Sequence, residues 1–103
     1  MDINLAISTK KIAELCEQYG VVKLDVFGSA ATTSNAANDY DFIVELKHDE
    51  FVSKARRWLS FADGLEKILG KPVDLVSAAS MKNSFFTKSV KATQKSIYDR
   101  SQS

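Results

Sequence analysis

The chain alternates between two hydrophobic periods. Ile12, Leu15, Cys16 and Tyr19 recur at three- and four-residue steps, which predicts a helix from Ser8 or Thr9 to Tyr19 that Gly20 stops. The next segment, 21–27, switches to period two: Val22, Leu24 and Val26 alternate with Lys23 and Asp25. This reads as a strand with one covered and one wetter face, and it places Asp25 at the surface or just behind a site. Gly28-Ser29 then ends the apolar run, and Ala30 to Asn38 reads as a short helical turn followed by a loop. A second strand follows to about Leu46. Its Tyr40, Phe42, Val44 and Leu46 are expected to pack against helices, and Asp39, Asp41, Ile43 and Glu45 to share the other face.

From about Asp49 to Leu69 the steps return to three and four, through Phe51, Ala55, Trp58, Ala62, Leu65 and Leu69, the core stripe of the longest helix. Gly70 and Pro72 stop it, and Val73-Asp74-Leu75-Val76 is a further buried or half-buried strand. A strand, a helix and a returning strand form a crossover unit, so the second and third strands are expected to be parallel, bringing Asp74 beside the acid pair. Ser80 is placed to cap a last helix from about Met81 to Ala92, and Lys95 to Asp99 is either an edge strand or an extended tail. Phe85 and Phe86 are adjacent, so either one meets a partner or a wide apolar face covers both. The class this predicts is α/β (α+β), a small mixed β-sheet flanked by helices in one domain, residues 1–103.

Composition removes several classes. The 103 residues carry 14 basic and 13 acidic side chains, a net charge of +1, with 45% apolar residues, which suits one globular domain of modest stability. No Lys/Arg-rich stretch is interleaved with aromatics, so nucleic acid is not favoured as a partner; Lys88, Lys91 and Lys95 read as a solvated face. The opening residues are too polar for a signal peptide and no long apolar run follows, so a cytoplasmic protein with no membrane role is expected. The single Cys16 reads as a small core hydrophobe, and the single histidine, His48, as exposed. Neither a Gly-x-Ser-x-Gly elbow nor a Walker loop nor a Gly-x-Gly-x-x-Gly fingerprint is present.

The acids carry the chemistry. In an extended strand residues two apart point the same way, about 6 to 7 Å apart. At an effective dielectric of about 20, the Asp39 and Asp41 carboxylates then repel by about 2 to 3 kcal/mol. A divalent cation turns that repulsion into attraction, since hard ions such as Mg²⁺ are held by a few carboxylates together with substrate phosphate oxygens. Asp74 is a third carboxylate on a neighbouring strand. Gly28-Ser29 sits at a strand end, a position where backbone N–H groups approach anions.

The order of apolar strand, Gly28-Ser29, short linker, Asp39-Tyr40-Asp41 leading a strand, helix, and Asp74 in another strand resembles the nucleotidyltransferase superfamily that includes DNA polymerase beta, and within it the minimal nucleotidyltransferases. The resemblance runs from about Val21 to Val76 and extends to Asn83–Val90 and Ile97–Asp99. It implies the polymerase beta palm-like fold. It further implies that Gly28 and Ser29 hold the terminal phosphates of ATP or another nucleoside triphosphate. On the same reading Asp39, Asp41 and Asp74 bind Mg²⁺, with Asp74 helping to deprotonate an acceptor hydroxyl. The implied reaction moves a nucleoside monophosphate, AMP from ATP, onto a hydroxyl of another macromolecule. The implied partner is a HEPN-domain toxin to which this chain is antitoxin, in an assembly with that protein or with itself.

The chain departs from the family pattern after Gly28-Ser29, where a basic residue and a second glycine are usual. Ala30 to Asn38 contains neither, and the linker is about one residue short. A charge-assisted phosphate contact of about 1.5 to 3 kcal/mol is thereby missing, unless Lys23, Lys71 or Lys82 supplies it. Two further readings follow: a catalytically weak or inactive binding module of the same fold, and a divalent-ion site that only stabilises the protein.

Overall fold

The computed structural model describes residues 1–33, 37–47, 53–81 and 84–100. Among these, five helices, α1 Ile3–Ile7, α2 Thr9–Tyr19, α3 Ser29–Thr32, α4 Lys54–Leu69 and α5 Ser84–Thr93, accompany four strands, β1 Val21–Phe27, β2 Tyr40–Leu46, β3 Val73–Ser77 and β4 Lys95–Asp99. The sheet order is β3-β2-β1-β4. β1 runs antiparallel to both β2 and β4, and β2 runs parallel to β3. This is the mixed α+β sheet that the sequence predicts, with Lys95–Asp99 settled as an edge strand.

The period-two pattern separates the two faces. Leu24, Val26, Tyr40, Phe42 and Val44 are buried with Leu5, Ile12, Cys16, Phe61 and Leu65 from the helices. Burial pushes the Cys16 thiol up to about 12, with help from the charge of Glu17, so it is an inert core group. Gly64 lets α2 and α4 close up, since a Cβ there would lie 2.8 Å from Leu15 Cδ1. Among the described residues no helix is long and apolar enough to cross a membrane.

Four expectations are corrected. The buried face of α4 carries Arg57, Phe61, Leu65 and Leu69, a stripe rotated from the one through Trp58 and Ala62. The cause is Arg57, whose guanidinium reaches the carbonyls of Tyr19 (3.2 Å) and Lys47 (2.7 Å) and so turns a charged residue inward. Ser80 does not cap the last helix: it ends a 3₁₀ turn, Ala78–Ser80, its hydroxyl donates to the Ser77 carbonyl at 2.8 Å, and α5 begins at Ser84. Asp39 lies in a bend just before β2 rather than in the strand. Asp25 is 4% exposed rather than on a wet face. His48, Phe51, Lys82, Asn83 and the start expected for the long helix near Asp49 lie outside the described residues.

The adjacent phenylalanines of α5 diverge. Phe86 packs edge-on against Phe27, ring centroids 6.0 Å apart, whereas Phe85 is 87% exposed. Lys88, Lys91 and Lys95 are all exposed, as a solvated face requires.

Candidate active site

Strand register assembles the acids. Asp41 of β2 stands opposite Phe27 of β1 on one side and Asp74 of β3 on the other, so all three side chains share the face opposite the helix-covered core. Burial raises the Asp41 carboxyl above the usual aspartate range, and the charges of Asp39 and Asp74 raise it further. Asp39, although outside the strand, therefore belongs to the same cluster. Asp41 is half-buried, while Asp39 and Asp74 are exposed. Among the described residues no three His, Cys, Asp or Glu side chains already converge at metal-ligating spacing. The acids form an open, all-oxygen set, which suits a hard divalent cation that completes its shell with water and substrate oxygens.

Gly28 closes the other side of this cluster. It follows β1 at φ 75°, ψ −151°, a region open essentially to glycine alone, and a Cβ there would lie 3.1 Å from Asp41 Oδ2. Its N–H donates to Thr93 Oγ1 at 2.9 Å, tying the turn to α5. Ser29 starts the one-turn helix α3 and is exposed. Gly28→Ala is expected to cost about 1 to 3 kcal/mol of stability and to displace the Asp41 carboxylate, as read by chemical denaturation and by the NMR shifts of Asp41. Unchanged stability would show that the turn relaxes without cost.

The acids are held by a network that the sequence pattern did not reveal. Asp2, fully buried, caps α1: Oδ1 accepts from Leu5 N (2.9 Å) and from the Tyr40 hydroxyl (2.8 Å), and Oδ2 accepts from Ala37 N at 2.6 Å. Burial opposes its charge, but the hydrogen bonds from Ala37, Leu5 and Tyr40 and the ammonium of Lys71 outweigh that and hold its carboxyl below the usual range. Lys71 also donates to the Ala37 carbonyl, and Tyr40 N donates to Pro72 O at 3.1 Å. Asn38 and Asp39 are thus pinned on both sides. Of the three lysines considered for the phosphates, Lys71 serves this network, Lys23 lies 3.7 Å from Asp25, and Lys82 is outside the described residues. A cavity of about 710 Å³ beside Trp58 and Leu59 is not lined by the acids.

Residues 10–103 match the family described as Polymerase beta, Nucleotidyltransferase. A protein of Methanocaldococcus jannaschii, provisionally named a protein adenylyltransferase, is 35% identical over 82 residues, covering 79% of each chain. A solved structure provisionally named a minimal nucleotidyltransferase superimposes with a TM-score of 0.71 at 25% identity, over 92% of this chain and 95% of its own. A chain from the complex of tri-AMPylated Shewanella oneidensis HEPN toxin with MNT antitoxin superimposes with a TM-score of 0.64 at 22% identity, over 95% of this chain and 75% of its own. A chain from a toxin–antitoxin structure with AMP-PNP gives 0.66 at 24%, over 91% and 75%. These last two likenesses are of fold.

Proposed function

This chain belongs to the polymerase beta nucleotidyltransferase family, as a minimal nucleotidyltransferase, and on that premise we propose that it transfers AMP from ATP to a hydroxyl of a partner protein. The observation that carries the reading is the cluster of Asp39, Asp41 and Asp74 facing the Gly28 turn. We assign Asp39 and Asp41 to Mg²⁺, with Asp74 as the third ligand. The bound ion would neutralise phosphate charge on both the attacking and the leaving side.

The chain's own groups do the rest. The Gly28 N–H is already given to Thr93 and that of Ala31 to the Gly28 carbonyl, so contact with the terminal phosphates falls to the Ser29 hydroxyl and to the N–H groups of Ser29 and Ala30 at the start of α3. Gly28 contributes by having no side chain, so that phosphate and the Asp41 carboxylate approach the turn together. The acceptor oxygen bonds to the α-phosphorus, the bond from that phosphorus to the bridging oxygen breaks, and pyrophosphate leaves. The hydroxyl proton passes to Asp74, which is exposed on the edge strand β3. Positioning and charge neutralisation supply most of the rate in such a transfer.

The acceptor in this reading is a HEPN-domain protein, to which the chain acts as a cytoplasmic antitoxin, and the exposed Phe85 ring is part of the contact. Support comes from the adenylyltransferase name of the Methanocaldococcus relative and the AMPylated toxin of the Shewanella complex. The whole chain, 1–103, works as one domain. Incubating it with ATP, Mg²⁺ and a HEPN-domain protein encoded beside its gene is expected to add AMP to that protein, read by intact mass. A partner that binds but gains no mass with any nucleoside triphosphate would leave the binding-module reading, which the missing basic residue after Ser29 favours.

A further inference from the structure

Among the described residues, Asp25 is the one buried carboxylate that neither the acid cluster nor the Asp2 network uses. It lies on the acid-bearing face of β1, opposite Ile43 of β2 and Ser96 of β4, and is 4% exposed. Oδ2 accepts from Gln94 Nε2 and lies 3.7 Å from the Lys23 ammonium. Oδ1 is equally buried and has no partner among the described residues. An orphaned carboxylate oxygen costs about 1 to 3 kcal/mol or more, and native proteins keep few of them.

The side chain lines a cavity of about 270 Å³. Ile43, Ala78 and Met81 give it apolar walls, Gln94 and Lys23 flank the carboxylate, and Glu45 stands at the rim. Two acids against one lysine make this a poor seat for phosphate, while apolar walls around a buried, unpartnered carboxylate oxygen suit a flat heterocycle. Its position agrees. Gly28 is three residues further along the chain, about 10 Å by strand rise, and the row between them is Phe27 opposite Asp41. Phe86 packs on Phe27, so a nucleotide with its phosphates at the Gly28 turn passes on the Asp41 side of that row to bring its base to Asp25. Asp25 lies on the side of β2 away from Asp74, and the far wall of the cavity, Ala78 and Met81, follows β3.

Resting on the nucleotidyltransferase reading above, we propose that this cavity is the nucleobase site and that Asp25 selects adenine by accepting one N–H of the exocyclic amine. Oδ2 is engaged by Gln94, so only one oxygen is free, and a base presenting two adjacent N–H groups, as guanine does, is left with one unmet. Oδ1 is buried as it stands; a turn of the carboxylate about Cβ–Cγ, a broad torsion, with the Gln94 amide following Oδ2, brings the free oxygen to the ligand.

The test titrates ATP, purine riboside triphosphate (which lacks only the 6-amino group) and inorganic tripolyphosphate into the whole chain with Mg²⁺. Wild type is expected to bind ATP about 10- to 100-fold more tightly than the deaminated analogue. Asp25→Asn should erase that preference and leave tripolyphosphate binding unchanged. Should Asp25→Asn fail to fold, Ala78→Trp, at an exposed wall position, is expected to weaken ATP to the level of tripolyphosphate. Equal binding of ATP and the analogue by wild type, a preference that survives Asp25→Asn, or ATP binding undiminished by Ala78→Trp would overturn the base site alone. Failure of wild type to bind any of the three would overturn the catalytic reading with it.

Discussion

Asp41→Asn is expected to raise the melting temperature of the metal-free protein at neutral pH by roughly a few degrees while removing metal-dependent nucleotide binding. The two effects share one cause. Burial, then the charges of Asp39 and Asp74, hold the folded carboxyl above the ordinary aspartate value of 3.8, so the folded chain binds this proton more tightly than the unfolded chain does. Stability from this group is complete below 3.8 and is lost as pH rises through the elevated folded value. At neutral pH the charged Asp41 works against the fold, and a neutral amide of the same shape removes that penalty. The same substitution deletes a proposed ligand, and since even supporting residues of metal sites cost about 10- to 100-fold in affinity, the loss expected here exceeds about 100-fold. Melting curves with chelator and with Mg²⁺ check both halves: Mg²⁺ should stabilise wild type and leave Asp41→Asn unmoved. A variant that melts below wild type in chelator would show that Asp41 supports the fold instead.

Asp2→Ala carries the largest expected loss of stability, about 3 to 5 kcal/mol. It strips the acceptor from three buried donors at once, the N–H groups of Leu5 and Ala37 and the hydroxyl of Tyr40, and leaves Lys71 without its counter-charge. Tyr40→Phe, which removes one of these bonds, should cost about 1 kcal/mol. The pH dependence has the sign opposite to that of Asp41. Because the folded Asp2 carboxyl lies below 3.8, its contribution is present above that value and is lost as pH falls through the lowered one. The two aspartates thus bend the stability profile downward on opposite sides of 3.8. Urea melts of wild type, Asp2→Ala and Tyr40→Phe between acid and neutral pH measure all of this; an Asp2→Ala variant as stable as Tyr40→Phe would mean that the Ala37 segment is not held by Asp2.

Strong periods were legible and isolated contacts were not. Val21–Phe27 and Tyr40–Leu46 span seven residues each, enough to fix both faces and, through a parallel crossover, to set Asp74 beside Asp41. The helix α1 spans only five residues, too few for a period, so the Asp2 cap and its reach across 35 positions to Ala37 left no local trace. Arg57 was hidden for a related reason: a pattern that scores charge as exposure cannot foresee a guanidinium whose acceptors are the carbonyls of Tyr19 and Lys47. Asp25 failed in the same way. Its alternation with Leu24 and Val26 is correct, but both faces of β1 are covered there, one by the core and one by Gln94 just beyond the end of α5. The nearness of Asp39 to Asp41 was legible from the Asp-x-Asp spacing, whatever the exact start of β2; their hold on a cation belongs to the proposal.

The most direct test is calorimetric titration of ATP into the purified chain, with and without Mg²⁺. The account predicts binding that requires Mg²⁺ and that Asp41→Asn abolishes. Absence of binding in both conditions, or binding of equal strength without the ion, would contradict a metal-dependent nucleotide site on this face of the sheet.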